Sequence, residues 1–299
     1  MTTLPYVGVD GGGTHARAVV VDEKGRVLAR RVGPAGLVDP RDPGSAAAAV
    51  ARLVRDALRD AGASSAAALC CGLAGAGRPH EREAVRIALT LEHIAELVVV
   101  VGDAEAAMAD AFPDGPGVLV VAGTGSIAWA RAADGATVRV GGWGQLLGDE
   151  GSGYDIGIGG LRAVARAADE RTGPTALTAV LLSALGLNAT DELIAWAASA
   201  SKAQIAALAP SVLSCAERGD EAAAAVRDSA VTAIAELAAT AARRCGAESP
   251  TIALTGGLLV SGALRQDVAN VIRLSVSGAR FTDRAVDAAL GAARIARNS

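Results

Sequence analysis

The first part of the chain alternates short apolar segments with turns. Tyr6–Asp10, Ala16–Val21 and Val27–Val32 are apolar, and the turn between the first two reads DGGGT (Asp10–Thr14). Apolar segments joined by turns this short are typical of neighbouring antiparallel strands. We therefore expect the chain to begin with a meander of three antiparallel strands.

Helical and apolar segments then follow one another. Ser45 is the expected N-cap of the first helix, because its hydroxyl can accept a hydrogen bond from the first helical turn. This alternation of strands and helices is typical of an α/β domain. The predicted elements are a helix at 46–61, a strand at 66–73, a helix at 81–91, a strand at 97–101 and a helix at 104–111.

The opening pattern of three strands is repeated in the second part of the chain. The second meander begins at Gly117, and its first turn, GTGS (Gly123–Ser126), takes the place of DGGGT. An internal duplication predicts two related α/β domains that face each other across a cleft. The second meander comprises strands at 117–122, 127–132 and 137–141. It is followed by a mostly helical block (153–246), a strand (251–254) that ends in TGG, a helix from about Leu264 and a closing helix (283–297).

Composition and charge narrow the classes of function. The chain has 299 residues, of which 51% are hydrophobic and 20% charged, so it can bury a large core and is not a disordered chain. Its net charge of -4 favours neither nucleic acid nor an anionic membrane as a partner. No run of about 18 apolar residues lacks charge or glycine, so we expect no membrane span. No secretory signal is recognised, and we expect a cytoplasmic protein.

The four cysteines do not suggest a metal site or a disulfide framework. No two of them form a CxxC pair, and Cys70 and Cys71 lie within an apolar run. We interpret Cys70, Cys71, Cys215 and Cys245 as reduced cysteines of the core.

The glycine turns are candidates for binding phosphate. Gly12 and Gly13 allow backbone N–H groups to approach a phosphate, and Thr14 adds a hydroxyl donor. Asp10 could hold Mg²⁺ through water, since Mg²⁺ keeps most of its waters near phosphates. One such turn by itself is more often an ordinary hairpin turn. The corresponding turn of the repeat and the third turn favour the phosphate interpretation; their candidate residues are Thr124, Gly125, Ser126, Gly256 and Gly257.

Asp103 is a candidate catalytic base. It follows the apolar segment Val98–Val101 and precedes a helix, and a carboxylate at the carboxyl end of a buried strand points into a cleft in open α/β sheets. There it could accept a proton from a substrate hydroxyl that attacks a γ-phosphate. The alternative is a helix N-cap, a position that Asp favours, and both roles can hold together.

The segment Gly141–Tyr154, GGWGQLLGDEGSGY, is too rich in glycine for a regular strand or helix. Loops of this kind inside a folded domain are usually functional. Trp143 could pack on the apolar face of a sugar or on an acyl group, and Asp149 could accept hydrogen bonds from hydroxyls. The alternative is a structural loop in which Trp143 is a plug.

Five motifs together resemble the BadF/BadG-type ATPase group of the sugar kinase/Hsp70/actin superfamily. This group includes kinases of N-acetylglucosamine and glucosamine. The motifs are spread over nearly the whole chain in the family's order: VGVDGGGTHARAVV (7–20), VVGDAEAA (100–107), VVAGTGSIAW (120–129), GGWGQLLGDEGSGYDIG (141–157) and ALTGGL (253–258).

The resemblance implies an α/β fold of two actin-like, ribonuclease H-like domains with a duplicated βββαβαβα core. Residues 1–107, joined by the closing helix 283–299, would form the first domain, and 108–282 the second, with a helical insertion. It also implies ATP and Mg²⁺ as cofactors, a small sugar as substrate, and a homodimer.

The resemblance assigns roles to individual residues. Asp103 matches the catalytic base, and Asp10 lies near the metal and the phosphates. The phosphate turns are Gly12, Gly13 and Thr14, then Thr124, Gly125 and Ser126, with Gly256 and Gly257 beside the adenosine. Gly142, Trp143, Gly144 and Asp149 match positions that bind the amino sugar.

One loop departs from the family pattern. Relatives that use N-acetylglucosamine usually offer an Asn to the sugar hydroxyls after the third strand, whereas this chain has GPAGLVDP (33–40), with Gly36 and Leu37 at that place. A shifted loop would allow Asp39 to take over this role. The loss of one hydroxyl partner can change substrate preference.

The predicted function is ATP-dependent transfer of the γ-phosphate to an amino sugar, either N-acetylglucosamine, giving the 6-phosphate, or glucosamine. One alternative is an ATPase that activates a radical dehydratase or reductase, since related proteins of that kind hold an iron–sulfur cluster with paired cysteines. The other is a sugar-sensing protein without catalysis.

Overall fold

A computed structural model describes residues 4–12, 15–34, 42–76 and 78–299. Its elements are β1 (Tyr6–Gly11), β2 (His15–Val21), β3 (Val27–Pro34), α1 (Pro43–Asp60), β4 (Ala66–Leu73), α2 (Pro79–Thr90), β5 (Ala95–Gly102), α3 (Asp103–Ala111), β6 (Gly117–Ala122), β7 (Ser126–Arg131), β8 (Thr137–Gly141), α4 (Gly153–Ala168), α5 (Leu177–Leu185), α6 (Glu192–Ser199), α7 (Lys202–Ala206), α8 (Ala209–Glu217), α9 (Glu221–Arg244), β9 (Thr251–Thr255), α10 (Ala263–Ser275), β10 (Arg280–Phe281) and α11 (Ala288–Asn298).

The chain forms two compact units. Unit 1 consists of Met1–Asp114 and Val286–Ser299, and unit 2 of Gly115–Ala285. Helix α3 belongs entirely to unit 1, so a division after residue 107 would cut this helix. The chain returns to unit 1 through α11, whose Ala289 and Ala293 pack against Val19 and Val21 of β2.

Unit 1 is a five-stranded sheet with helices on both faces. The strand order is β3-β2-β1-β4-β5, in which β1 is antiparallel to β2 and parallel to β4, and β4 is parallel to β5. Alternate residues of β4 point to opposite faces, as in any strand. Cys71 therefore joins the core formed with α1 and α2, while Cys70 joins the cluster that contains Ala106 of α3 and Ala292 of α11.

Unit 2 repeats this topology around a larger core. Its strand order is β10-β9-β6-β7-β8, which is the order of unit 1 with β6, β7 and β8 in the places of β1, β2 and β3. The helical block between β8 and β9 contributes buried residues such as Ile156, Leu181 and Ile234 to the same core as Val118 and Val120. The predicted α/β class and the duplicated actin-like core are confirmed.

The structure corrects two local predictions and adds a strand. Ser45 is not the N-cap of α1: Asp42 is, and its carboxylate accepts a hydrogen bond from the Ser45 amide at 3.1 Å. Pro43 favours this earlier start, because proline suits the first helical position. The closing helix α11 begins at Ala288 rather than at 283. Strand β10 has only two residues, too few for a hydrophobic period, and was not predicted.

All four cysteines are free thiols, as predicted. Cys70, Cys71 and Cys215 are buried, and Cys245 is partly buried. Burial raises the pKa of Cys70 to about 12, so this thiol stays protonated at neutral pH. In the part of the chain that the structure describes, no helix is long and apolar enough to cross a membrane.

Candidate active site

Asp10 lies near the carboxyl end of β1, in the middle of the sheet of unit 1. Its backbone pairs with Arg17 of β2 on one side and with Gly72 of β4 on the other. Burial raises the pKa of Asp10 to about 6, with Arg17 opposing the shift and the charges of Asp103 and Asp287 adding to it. The negative charge of Asp103 is thus among those that disfavour ionisation of Asp10.

Asp103 is the first residue of α3 and follows β5 directly. Because β1, β4 and β5 are parallel, the ends of β1 and β5 lie at the same edge of the sheet. The side chain is exposed to solvent, and its Oδ1 accepts a hydrogen bond from the Ala104 amide at 2.9 Å. Desolvation by the surrounding protein nevertheless raises the pKa of Asp103. The hydrogen bond from the Ala104 amide opposes this shift, and the charge of Glu105 adds a smaller contribution to it.

The structure separates the two roles considered for Asp103. The N-cap of α3 is Gly102, whose amide donates to Glu105 Oε2 at 2.9 Å. Glu105 in turn forms an ion pair with Arg82 of α2, with 2.9 Å between Nη1 and Oε2. The N-cap prediction for Asp103 is therefore wrong, because Glu105 satisfies the helix terminus and leaves the Asp103 carboxylate at the surface.

Part of the first glycine turn lies outside the described residues. Gly12 is described, and its amide donates to the His15 carbonyl at 3.1 Å. The predictions for Gly13 and Thr14 fall on residues that the structure does not describe, and so do those for Gly36, Leu37 and Asp39.

The second and third glycine turns lie side by side in unit 2. They follow β6 and β9, which are parallel neighbours in the sheet. The Leu258 amide donates to the Ala122 carbonyl at 3.1 Å, which joins the third turn to the strand before the second. Gly256 has φ of 92°, and a Cβ there would overlap the Ala122 backbone. Only glycine allows this close approach of the two turns.

Thr124 is exposed at the tip of the second turn, whereas Ser126 is buried. The Ser126 hydroxyl donates to the Glu150 carbonyl at 2.7 Å, and the Gly142 amide donates to the Ser126 carbonyl at 3.1 Å. Ser126 therefore connects the turn to both ends of the glycine-rich loop 141–151. Its side chain is occupied by this structural contact.

Trp143 is an exposed aromatic side chain in this loop. It is 66% exposed, so the interpretation of Trp143 as a buried plug is wrong. The flanking residues Gly142 and Gly144 have φ of 69° and 83°, a backbone conformation that favours glycine. Arg139 covers part of the ring, with its Cζ 5.4 Å from the centroid.

Asp149 is buried and fully engaged with protein groups. Its Oδ1 accepts from the Ser126 amide at 3.2 Å, and its Oδ2 accepts from Lys202 Nζ at 2.5 Å. Its residue exposure is 4%, and its φ of 63° is uncommon for a non-glycine residue. In this structure Asp149 orients the second glycine turn.

The sequence analysis missed Arg82, Glu105 and Lys202. Glu105 could have been found, because a Glu three residues after a helix start is the second half of a capping box. Arg82 and Lys202 carry no local signal. Their partners Glu105 and Asp149 are distant in sequence and meet them only in the folded chain.

A two-unit fold with matching sheets and carboxylates at the end of β1 and after β5 defines an actin-like ATPase. The profile of the BadF/BadG/BcrA/BcrD ATPase family matches residues 7–296. The chain belongs to this family, as the motifs predicted, and binding of ATP follows from the membership.

Individual relatives cover nearly the whole chain. An N-acetyl-D-glucosamine kinase of Dictyostelium discoideum is 31% identical over 313 residues, which cover 98% of each protein. An N-acetylmuramic acid/N-acetylglucosamine kinase of Clostridium acetobutylicum is 33% identical over 220 residues, covering 72% of this chain and 71% of that protein. A Chromobacterium violaceum structure assigned as an N-acetylglucosamine kinase superposes with a TM-score of 0.79 at 29% identity, covering 97% of this chain and 98% of that one.

Proposed function

We propose that the protein is an ATP-dependent kinase that transfers the γ-phosphate to a hydroxyl of an amino sugar, with the 6-hydroxyl of N-acetylglucosamine as first choice and glucosamine as second. The observation that carries this proposal is the placement of Asp103 after β5, exposed to solvent and at the same edge of the sheet as Asp10. Both curated relatives act on N-acetylated amino sugars, which supports the choice of substrate.

Asp103 is proposed as the general base. A carboxylate with a raised pKa is a better proton acceptor near neutral pH than an ordinary one. Asp103 would accept a hydrogen bond from the sugar hydroxyl, orient it towards the γ-phosphate and take its proton as the oxygen–phosphorus bond forms. Because Glu105 and not Asp103 caps α3, the carboxylate is available for this step.

Asp10 is proposed to hold Mg²⁺ through water. Mg²⁺ bound with ATP would neutralise charge on the phosphates. Burial makes the ionised form of Asp10 unfavourable and raises its pKa to about 6, and a nearby cation would offset that unfavourable desolvation. Over residues 4–12, 15–34, 42–76 and 78–299, no group of three or more His, Cys, Asp or Glu could hold a metal directly. A Mg²⁺ ion that keeps its waters and contacts the phosphates needs fewer protein ligands than a directly bound one.

The remaining assignments use the turns and the glycine-rich loop. Gly12, Gly13 and Thr14, with Thr124, Gly125 and Ser126, would place the phosphates, and Gly256 and Gly257 would lie beside the adenosine. In Ser126 both the backbone amide and the hydroxyl already donate to protein oxygens, so Ser126 would contribute by fixing the shape of the second turn. The exposed Trp143 would stack on the sugar, with Gly142 and Gly144 letting the sugar approach the backbone. Asp149 would act on the sugar only in addition to its two protein contacts.

The burial of the cysteines argues against the iron–sulfur alternative. Cys70 and Cys71 are 0% exposed in the middle of β4, and burial raises the pKa of both thiols. A cluster held between subunits needs thiolates at a surface. The homodimer implied by the family resemblance stays a prediction, which light scattering of the purified protein would measure.

The test is an ADP-release assay over N-acetylglucosamine, glucosamine, N-acetylmuramate and glucose, with the phosphorylated position determined by NMR. Asp103→Asn should lower kcat by at least 100-fold on the best sugar and leave the affinity for ATP within about threefold. Asp56→Asn is the matched control, since Asp56 is a partly exposed carboxylate of unit 1 that pairs with Arg59. Full turnover by the Asp103 variant, or no sugar-dependent ADP release by the wild type, would overturn the proposal.

A further inference from the structure

The helical block of unit 2 brings one cation to the second glycine turn. Lys202, the first residue of α7, places its Nζ 2.5 Å from Asp149 Oδ2. A Cβ built on Gly125 would lie 3.1 Å from the same Nζ and 2.7 Å from Asp149 Oδ1. The ammonium group is therefore in the immediate surroundings of the turn backbone, and a side chain at position 125 would displace it.

The ammonium and the carboxylate of this pair differ in their access to solvent. The Lys202 side chain is 33% exposed and the Asp149 side chain 5%. A lysine ammonium has three N–H donors, and Asp149 is its one acceptor among the residues that the structure describes. Donor capacity and positive charge are thus left for a ligand on the open side of the pair.

The backbone that carries Lys202 is held in place. Ser201 and Gln204 form a capping box at the start of α7, in which the Ser201 amide donates to Gln204 Oε1 at 2.8 Å. Ile205 of α7 is 5% exposed, and its carbonyl occupies the space that a Cβ on Gly157 of α4 would need. Because α4 begins directly after the glycine-rich loop, Lys202 is fixed relative to the turn before any ligand binds.

The chain uses lysine sparingly. Lys24 and Lys202 are its two lysines among 28 basic residues, and Lys24 is exposed in the turn between β2 and β3. Arginine is the usual partner for a carboxylate because its planar fork binds both oxygens. Asp149 offers only one oxygen to its cation, since the Ser126 amide takes the other. A compact ammonium group suits that geometry and also suits contact with phosphate oxygens.

We infer that Lys202 contacts the β- or γ-phosphate of ATP at the second glycine turn, with Asp149 as the residue that positions it. The backbone amides of the turn are neutral donors, and Lys202 adds the full positive charge that a polyphosphate requires. The inference rests on the ATP-binding part of the proposed function and not on the identity of the sugar.

The competing explanation is that Lys202 only neutralises the buried charge of Asp149. The two explanations differ in the double variant Asp149→Asn/Lys202→Met, which removes both charges. If neutralisation is the whole role, the double variant regains wild-type affinity for ATP. If Lys202 contacts the phosphate, the double variant stays as weak as Lys202→Met.

The experiment is isothermal titration calorimetry of the full chain with AMP-PNP and Mg²⁺, and separately with AMP, both without sugar. Lys202→Met should weaken AMP-PNP binding at least tenfold and AMP binding less than twofold, because AMP lacks the β- and γ-phosphates. Lys202→Arg, which keeps the charge, should recover part of the loss. Lys24→Met is the matched control and should bind both nucleotides as the wild type does.

Equal weakening of AMP and AMP-PNP by Lys202→Met would overturn the inference, and so would recovery of affinity in the double variant. Thermal unfolding of each variant identifies a loss of affinity that comes from misfolding alone. In that case Lys202→Arg is the deciding variant: if it folds as the wild type does but recovers no affinity for AMP-PNP, the charge contact is contradicted. If AMP-PNP binds but no hexosamine is phosphorylated, the proposed kinase activity fails while this test remains valid.

Discussion

Arg82 of α2 and Glu105 of α3 form an ion pair, with 2.9 Å between Arg82 Nη1 and Glu105 Oε2. Glu105 lies two residues after Asp103. Arg82 Nε also donates to the Ala76 carbonyl at 2.8 Å. Both side chains are about 30% exposed, so the pair contributes little to stability, roughly 0–1 kcal/mol. The pair matters because the guanidinium of Arg82 compensates the negative charge of Glu105, which acts on Asp103.

Arg82→Gln should therefore change the pH dependence of catalysis more than the stability. Without the guanidinium, the charge of Glu105 acts uncompensated on Asp103 and raises its pKa further, so the acidic limb of the kcat profile should move to higher pH. Kinase assays between pH 5 and 9 measure the shift. Arg86→Gln on the same helix, which removes a surface pair with Glu83, should leave the profile unchanged.

Asp10 should make activity fall at acidic pH. Its pKa of about 6 means that the carboxylate is ionised above pH 6 and protonated below it. Because the proton competes with Mg²⁺, the Mg²⁺ concentration needed for half-maximal rate should rise as the pH falls from 7 to 5. A Mg²⁺ requirement that does not change over this range would contradict the assignment of Asp10.

The same residue should oppose folding at neutral pH. The folded pKa of Asp10 lies above its ordinary value of 3.8, so its contribution to stability is present below pH 3.8 and is lost as the pH rises through about 6. Asp10→Asn should be more stable than the wild type at pH 8 by about 3 kcal/mol and nearly equal to it at pH 4, because each unit of pKa corresponds to about 1.4 kcal/mol. Urea unfolding at the two pH values measures the difference, and kinase activity should be lost.

Trp143→Ala should affect the sugar and not the fold. Because the side chain is 66% exposed, its removal should cost less than about 0.5 kcal/mol of unfolding free energy. The loss of a stacking surface should raise the KM for the sugar about tenfold and leave the KM for ATP within twofold. Leu147→Ala, in the same loop and 77% exposed, is the control. Equal changes in both KM values for the Trp143 variant would argue against sugar stacking.

Gly256 and Gly262 allow a comparison of two glycines with nearly the same φ angle. Their φ angles are 92° and 91°, but a Cβ at Gly256 would overlap the Ala122 backbone, whereas a Cβ at Gly262 has nothing within 4 Å. Gly262→Ala should cost only the backbone strain, about 1 kcal/mol, and Gly256→Ala about 2–4 kcal/mol with loss of nucleotide binding. Chemical unfolding and AMP-PNP titration compare the two. Similar costs for both would show that the close contact is unimportant.

Local pattern was sufficient for most elements. The strands at 66–73, 117–122 and 137–141 have the predicted bounds, because short apolar segments between turn residues require no information from the rest of the chain. Helix starts are harder to predict from local pattern. In α1 both Asp42 and Ser45 are residue types that favour the N-cap, and only the structure shows that Asp42 occupies it. The two-residue strand β10 exists only because β9 pairs with it.

The sequence by itself determined the duplicated α/β architecture, the family and the positions of the glycine turns and of Asp103. These features are written in consecutive residues, where apolar period, turn composition and short motifs act locally. Only the tertiary structure decided what surrounds them: that Glu105 caps α3, that Trp143 is exposed, and that Asp149 pairs with Lys202, 53 residues away. A buried carboxylate takes whichever donors packing brings to it, and packing is a property of the whole fold.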